Sequence, residues 1–311
     1  MDAPVIDQSK LEAFAGKAIG DFASAYTGLM ISLGSKLGLY KTMAYAGPLS
    51  AKEVAQRAGC AERYVREWLN SQAASEYVVY HAVSDTYELT PEQAMVLADE
   101  DSPAYIPPAW HLPAALWADE PKALEAFRTG RGVSWGEHDA RLACGVAAFF
   151  RNGYRANLVP HWLPALDGVV EQLKAGITVA DVGCGHGHST RLMAEAFPNS
   201  RFYGFDTLHD LGDPVAAAQH AAKSLAPGGT VLLVEPFAHD KVEDNLSLVG
   251  RLYYTGSSLI CCAHSISEGG KLVLGAQAGP KRLEDVFRKA GFTHFRRAAE
   301  TAFNIVFEVR R

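Results

Sequence analysis

Apolar residues recur at helical spacing over residues 9–46. Leu11, Phe14, Ala15, Ala18, Phe22 and Ala25 fall on one stripe, and Leu29, Leu33, Leu37 and Tyr40 on another. Gly47-Pro48 breaks the pattern. Ser50 with Glu53 three residues on reads as a capping box, and the helix that it opens is expected to end near Gly59. The pattern predicts a second helix over residues 61–74, with Val65, Trp68 and Leu69 inward. Residues 77–82 and 86–89 alternate as short strands about Ser84-Asp85, a small hairpin. Helix, turn, helix and hairpin together predict a winged helix.

The pattern changes after residue 100. Residues 101–165 are rich in proline and tryptophan (Pro103, Pro107, Pro108, Trp110, Trp117, Trp135, Trp162) and predict short helices at 121–129 and 138–158. Arg141, Arg151 and Arg155 are spaced to share one face of the second. Such a segment suits either interdomain packing or a pocket wall that presents aromatic rings. Residues 179–182 then read as a short buried strand. Gly183, Gly185 and Gly187 form a turn, with Ser189 and Thr190 as candidate N-caps of a helix through Met193 and Phe197. Residues 201–206 form a second strand ending in Asp206, and 215–225 a helix. Residues 230–235 form a buried strand, and 281–290 an amphipathic helix with Leu283, Val286 and Phe287 inward. Residues 292–298 and 303–309 close the chain as a hairpin, in which Phe303, Ile305, Phe307 and Val309 alternate with Asn304, Glu308 and Arg310. This alternation predicts one more-buried face.

The strand, glycine turn and helix carry the chemistry. Glycines at alternate positions let the backbone turn sharply and leave no side chain between it and a ligand. The helix that follows points its free N–H groups and positive dipole end into the same space. Asp206, nineteen residues after Gly187, is placed to accept from both hydroxyls of a ribose. The spacing is Asp181-x-Gly183-x-Gly185-x-Gly187, not the G-x-G-x-x-G of dinucleotide-binding turns. This resembles the first motif of the class I S-adenosylmethionine (SAM)-dependent methyltransferases, and Asp206 matches their ribose-binding acid. The arrangement of winged helix followed by this motif is similar to that of the small-molecule O-methyltransferases. The resemblance implies a Rossmann-like α/β sheet ending in an antiparallel hairpin. It also implies SAM as cofactor, a small-molecule methyl acceptor, and an N-terminal domain that forms a homodimer and closes the substrate pocket.

By the same resemblance, Asp181, Gly183, Cys184, Gly185, Gly187, Asp206, Thr207 and Asp210 line the cofactor. Tyr154 and, more weakly, Phe150 join them from the helix before the glycine strand. His209-Asp210, in Leu-His-Asp-Leu-Gly-Asp213, matches the His-Asp of the plant-type enzymes, where the histidine is the base. His209 is therefore the candidate general base, since a hydroxyl acceptor needs one that titrates near neutrality. Glu235, at a strand's carboxyl end, is placed to orient a base or touch substrate. Residues 251–267, aromatic and uncharged after Arg251, read as a pocket insertion in which His264 is a candidate lining residue.

One departure stands out. In the family this histidine follows the fourth strand of the sheet, yet here it follows Asp206, at the end of the second, almost at once. A βαβ unit needs roughly 30 residues, so an αβαβ block is missing. Either a segment of a longer chain is closed up between Thr207 and Leu208, or the first strand must pair directly with 230–235.

Composition narrows the partners. The chain has 311 residues, 48% hydrophobic and 21% charged, with a net charge of −6, as expected for a folded protein of two domains. Residues 1–100 hold eight Lys or Arg against thirteen Asp or Glu, a net of −5. Glu62 and Glu67 interrupt Arg63 and Arg66 on the would-be recognition helix. A phosphate-binding surface should be basic, so nucleic acid is not an expected partner. Five scattered cysteines suit free thiols in a reducing cytosol. No signal-like or membrane-length apolar run appears, so the expected location is cytoplasmic. Cys184, His186 and His188, and later Cys261, Cys262 and His264, lack metal-ligand spacing, so no metal is expected. The division expected is 1–100 (winged helix and dimerisation), 101–165 (helical connector and pocket wall) and 166–311 (SAM-binding domain). Two other functions remain open: a SAM-fold protein that binds ligand without catalysis, and a winged-helix regulator.

Overall fold

The computed structural model describes residues 4–205 and 211–311. The chain divides into two compact units, Met1–His111 and Leu112–Arg311.

The first unit opens with α1 (Gln8–Lys36), whose N-cap Asp7 accepts from the amides of Ser9 and Lys10. Helices α2 (Leu39–Met43), α3 (Ala51–Ala58) and α4 (Glu62–Ala74) follow, then the hairpin β1 (Val79–His81) and β2 (Thr86–Glu88), then α5 (Pro91–Leu97). The Ser50–Glu53 capping box forms in both directions, and Gly59 closes α3 at φ 65°. Leu49 exchanges two backbone hydrogen bonds with Tyr87, at 2.8 and 2.7 Å, tying the entry of α3 to the hairpin. Ile31, Leu39, Met43, Val54, Trp68 and Leu69 lie in the core of this unit. Only the last part of α1 reaches that core. A Cβ at Gly34 would meet the Trp68 ring at 2.4 Å, so glycine is what lets the helix approach. Further back, Leu11, Phe14, Ile19, Phe22, Tyr26 and Leu29 are between 50% and 69% exposed, an apolar stripe with no cover.

The second unit contains all but the first residue of α6 (His111–Ala118), then α7 (Glu120–Thr129), α8 (Arg141–Asn157), α9 (Val169–Ala175), β3 (Thr178–Val182), α10 (His188–Ala196) and β4 (Arg201–Phe205). It continues with α11 (Pro214–Ser224), β5 (Val231–Pro236), α12 (Leu248–Gly256), α13 (Cys262–Ser267), α14 (Pro280–Lys289), β6 (His294–Glu300) and β7 (Asn304–Arg310). The strands form two sheets. β3 pairs in parallel with β4, Asp181 opposite Gly204 and Val182 opposite Phe205. β7 lies between β5 and β6, antiparallel to both. No ladder joins β3 to β5 among the described residues.

The three-stranded sheet is covered on both faces. Leu233, Ile305, Phe307 and Val309 pack with Ala218 and Ala222 of α11 and Leu283, Val286 and Phe287 of α14. On the opposite face Val306, Leu232 and Val234 meet a second core of Leu158, Trp162, Leu173, Met193 and Phe197. Val179 of β3 and Phe202 of β4 join that second core, so one hydrophobic layer underlies both sheets.

Two expectations need correction here. β7 does not have a single buried face: Asn304 and Glu308 are buried as well. Glu308 is tolerated because it pairs with Arg296 and Arg310 and accepts from the Asp167 amide at 3.2 Å, which satisfies a charge that burial would otherwise penalise. Conversely β3 is not a buried strand. Thr178, Ala180 and Val182 are exposed, and Val182 and Tyr203 are each 52% exposed. In a parallel sheet both faces are normally covered by crossover helices. This sheet has cover on one face, in keeping with the missing αβαβ block.

Candidate functional site

The glycine turn leaves β3 with Gly183 at φ 87°, Gly185 at φ 48° and Gly187 at φ 72°. All three lie in the left-handed region, which costs a residue with a Cβ roughly 1–2 kcal/mol. The Gly187 amide donates to the Cys184 carbonyl at 2.7 Å, which closes the turn. α10 begins at once, with Gly187 itself as N-cap and no side-chain cap. This corrects the expectation that Ser189 or Thr190 caps the helix. Their hydroxyls instead both donate to Asp181 Oδ2, at 2.7 and 2.6 Å. Asp181 therefore clamps the first turn of α10 to the end of β3 and fixes the shape of the turn. A Cβ at Gly185 or Gly187 would meet nothing within 4 Å, so the outside of the turn is open to a ligand.

Cys184 points the other way. A Cβ at Gly204, opposite Asp181 on β4, would meet Cys184 Sγ at 2.6 Å, so β4 leaves a recess that the thiol fills. His186 and His188 stand with ring centroids 6.3 Å apart. Burial lowers the pKa of His188 below its ordinary 6.5, and the nearby charges of Arg151 and Arg191 add to this. Arg151 thus brings a positive charge from α8 to the mouth of the turn. Tyr154, on the same helix, stacks on Phe150 at 6.1 Å and meets Trp162 edge-on at 6.0 Å. Phe149 packs edge-on against Phe303. The Tyr253 hydroxyl of α12 donates to the Phe303 carbonyl at 2.6 Å, and burial pushes its pKa well above the usual tyrosine range. These rings build an aromatic wall from α8, α12 and the β6–β7 corner.

Asp206, Thr207, His209 and Asp210 lie outside the described residues. Their flanks are described. β4 ends at Phe205, opposite the last residue of β3. On the far side, the Leu211 carbonyl accepts from Ser265 at 3.1 Å and the Gly212 amide donates to Glu268 at 3.0 Å. The Gly212 carbonyl accepts from the Lys271 amide at 2.8 Å, and Asp213 caps α11 through the Ala216 amide at 2.9 Å. Leu211–Asp213 is therefore docked against the end of α13. Glu235 is buried at the carboxyl end of β5. His264 Nδ1 accepts from the Trp135 amide at 3.3 Å, and its ring faces Trp135 at 6.2 Å, so it is a packed wall residue.

Sequence reasoning passed over one polar cluster. Asp119 Oδ2 accepts from His138 Nδ1 at 2.8 Å, and Asp119 Oδ1 from Lys122 Nζ at 2.6 Å. The Asp139 amide also donates to this carboxylate, at 2.9 Å to Oδ2. Burial alone raises the Asp119 pKa, but the hydrogen bonds from Lys122, Asp139 and His138 outweigh it and leave the carboxyl below its ordinary value. The partners are nineteen residues apart and belong to no recognised spacing, so nothing in the pattern marked them. Among the described residues no cluster of His, Cys, Asp and Glu is arranged to hold a metal.

The strand, left-handed glycine turn and clamped helix define a class, and comparison with known proteins agrees with it. The chain has the fold of the class I methyltransferases, preceded by a winged-helix unit. The Rv2258c-like winged HTH domain family matches residues 25–99. Trans-aconitate 2-methyltransferase of Afipia carboxidovorans is 31% identical over 104 residues, which are 31% of this chain and 37% of that relative's length. Among solved structures, human N-acetylserotonin methyltransferase in complex with SAM superposes with a TM-score of 0.69 at 16% identity, covering 100% of this chain and 99% of that one. Mitomycin 7-O-methyltransferase superposes with a TM-score of 0.64 at 17% identity, covering 97% and 99%.

Proposed function

We propose that the protein is a SAM-dependent methyltransferase that transfers a methyl group to a hydroxyl of a small molecule. The observation that carries this reading is the turn of three left-handed glycines, open on its outer side and fixed by the Asp181–Ser189–Thr190 clamp. The structural relative in complex with SAM, human N-acetylserotonin methyltransferase, supports the choice of ligand. When bound, SAM supplies a methyl group on a sulfonium, an excellent leaving group, so the protein contributes chiefly proximity, alignment and a base.

In this reading the amides of residues 183–188 and the α10 dipole hold the methionyl part, and Asp206 accepts from the ribose hydroxyls. Cys184, Thr207 and Asp210 line the same cavity, and Tyr154 with Phe150 walls it. His209 takes the proton from the acceptor hydroxyl as the methyl is transferred in line. The winged-helix unit (residues 1–100) makes a homodimer through the exposed stripe of α1, since an apolar helix face running from Leu11 to Leu29, ~27 Å long, calls for a self-complementary partner. Residues 101–165 wall the acceptor pocket, and residues 166–311 hold the cofactor. No helix among the described residues is long and apolar enough to cross a membrane; five cysteines outside any disulfide suit a cytoplasmic setting.

Calorimetric titration with SAM and S-adenosylhomocysteine tests this. The expected result is binding at micromolar ligand that Asp206→Ala weakens strongly; no heat at those concentrations would overturn it. Light scattering should give a dimer for the wild type and a monomer for the Phe14→Glu, Phe22→Glu double variant. One observation favours a second reading, a ligand-binding protein without turnover: β3 and β5 share no ladder among the described residues. Binding of SAM without methylation of any phenol or catechol would support it.

A further inference from the structure

The Asp119 cluster has an unmet demand. His138 and Asp119 side chains are 3% and 6% exposed. Because Nδ1 of His138 donates to Asp119, a neutral imidazole so held presents Nε2 as an acceptor. That Nε2 is buried and has no hydrogen-bond partner. Trp135, whose ring stands edge-on to that of His138 with centroids 6.2 Å apart, has a buried Nε1–H that is likewise unpartnered. One bare acceptor and one bare donor on neighbouring rings is a cost of ~1–3 kcal/mol each if left unanswered. His138 and Asp119 also line a cavity of about 20 Å³ with Leu116, Phe127, Ser258 and Leu259, enough for one oxygen and little more; Trp135 is not part of that lining and stands beside it through its edge-on contact with the His138 ring.

We infer that Asp119, His138 and Trp135 form a binding site for a single O–H group, which donates to His138 Nε2 and accepts from the Trp135 indole. A hydroxyl answers both demands at once; a carboxylate cannot donate and an ammonium cannot accept. Lys122 neutralises Asp119, so the site calls for a neutral group and not a cation. The oxygen belongs either to an ordered water or to the hydroxyl of a small organic molecule. The cavity lies where α6–α7 meets Ser258 and Leu259, the two segments assigned above to the acceptor pocket. Only the identity of the organic source, the methyl acceptor, rests on the methyltransferase reading.

Nitrogen NMR of the full chain labelled at histidine and tryptophan tests the site without any cofactor, so its outcome is independent of SAM binding. Trp135→Phe and His138→Gln assign the two signals. The expected result is a proton on His138 Nδ1 and a hydrogen-bonded acceptor shift at Nε2, with Asp119→Asn abolishing the Nδ1 preference. Phenol is the organic probe. Saturable movement of both the His138 and Trp135 signals identifies an organic hydroxyl. Signals indifferent to phenol, with one ordered oxygen between the rings in a crystal structure, identify water. An Nε2 that carries the proton, or an acceptor shift of an unbonded nitrogen, overturns the proposal.

Discussion

The second unit holds two sheets that differ in one respect. The β5–β7–β6 sheet is packed on both faces, and its central strand is buried at every position from Asn304 to Val309. The β3–β4 pair is packed on one face and leaves Val182 and Tyr203 half exposed on the other. Both contribute to the same underlying core, yet no ladder connects them among the described residues. The difference separates what stability requires from what the ligand turn requires. Three strands with helices on both sides bury enough to stand as the rigid half. The glycine turn needs only β3, α10 and the Asp181 clamp to take its shape, and it takes that shape on the half with less cover.

The largest expected effect is in the covered sheet. Glu308→Ala leaves Arg296 and Arg310 without their buried partner and should cost about 3 kcal/mol of unfolding free energy in urea; a loss below ~1 kcal/mol would mean that the two arginines rehydrate freely. Next is the clamp. Asp181→Ala removes a charged acceptor from two hydroxyls at once and should cost about 2 kcal/mol, together with loss of S-adenosylhomocysteine binding. The same substitution in the two sheets then isolates the comparison. Val306→Thr buries a hydroxyl with no partner and should cost about 2 kcal/mol, whereas Val182→Thr, half exposed, should fall within about 0.5 kcal/mol of the wild type. Equal costs would show that the open face of β3 is covered in solution.

The smallest effect is a pH dependence at the turn. The pKa of His188 is depressed in the folded state, so the unfolded chain binds its proton more readily. Stability contributed at this position is present above the unfolded value, near pH 6.5, and is lost as pH falls below it. Denaturation from pH 7.5 to 5.5 should therefore show a steeper loss for the wild type than for His188→Gln; parallel curves would remove His188 as the source.

The sequence pattern identified the local elements well because their signals are local. The Ser50–Glu53 box, the Gly59 stop and the strand–glycine–helix order each need only a few neighbouring residues, and each formed as expected. What escaped depends on partners brought together by the fold. Ser189 and Thr190 carry the chemistry of an N-cap, but the helix already starts at His188 after the Gly187 turn, and their hydroxyls donate to Asp181. Glu308 reads as a solvent-facing alternate, and Arg296 on the neighbouring strand, with Arg310 and the Asp167 amide, makes its burial tolerable. His138 and Asp119 come together through the loop after α7, with no spacing to betray them. The exposure of β3 was implicit in the missing block, although the strand's own apolar residues argued for burial. Asp206 and His209, on which the cofactor and base assignments rest, lie outside the described residues, so their roles stand on the sequence motif.

Native-state amide exchange, read strand by strand with and without S-adenosylhomocysteine, tests the central claim most directly. Amides of β3 and β4 should exchange through local opening well before those of β5 and β7, and ligand should slow them selectively. Equal protection of the two sheets in the free protein, or ligand protection confined to the covered sheet, would contradict the account.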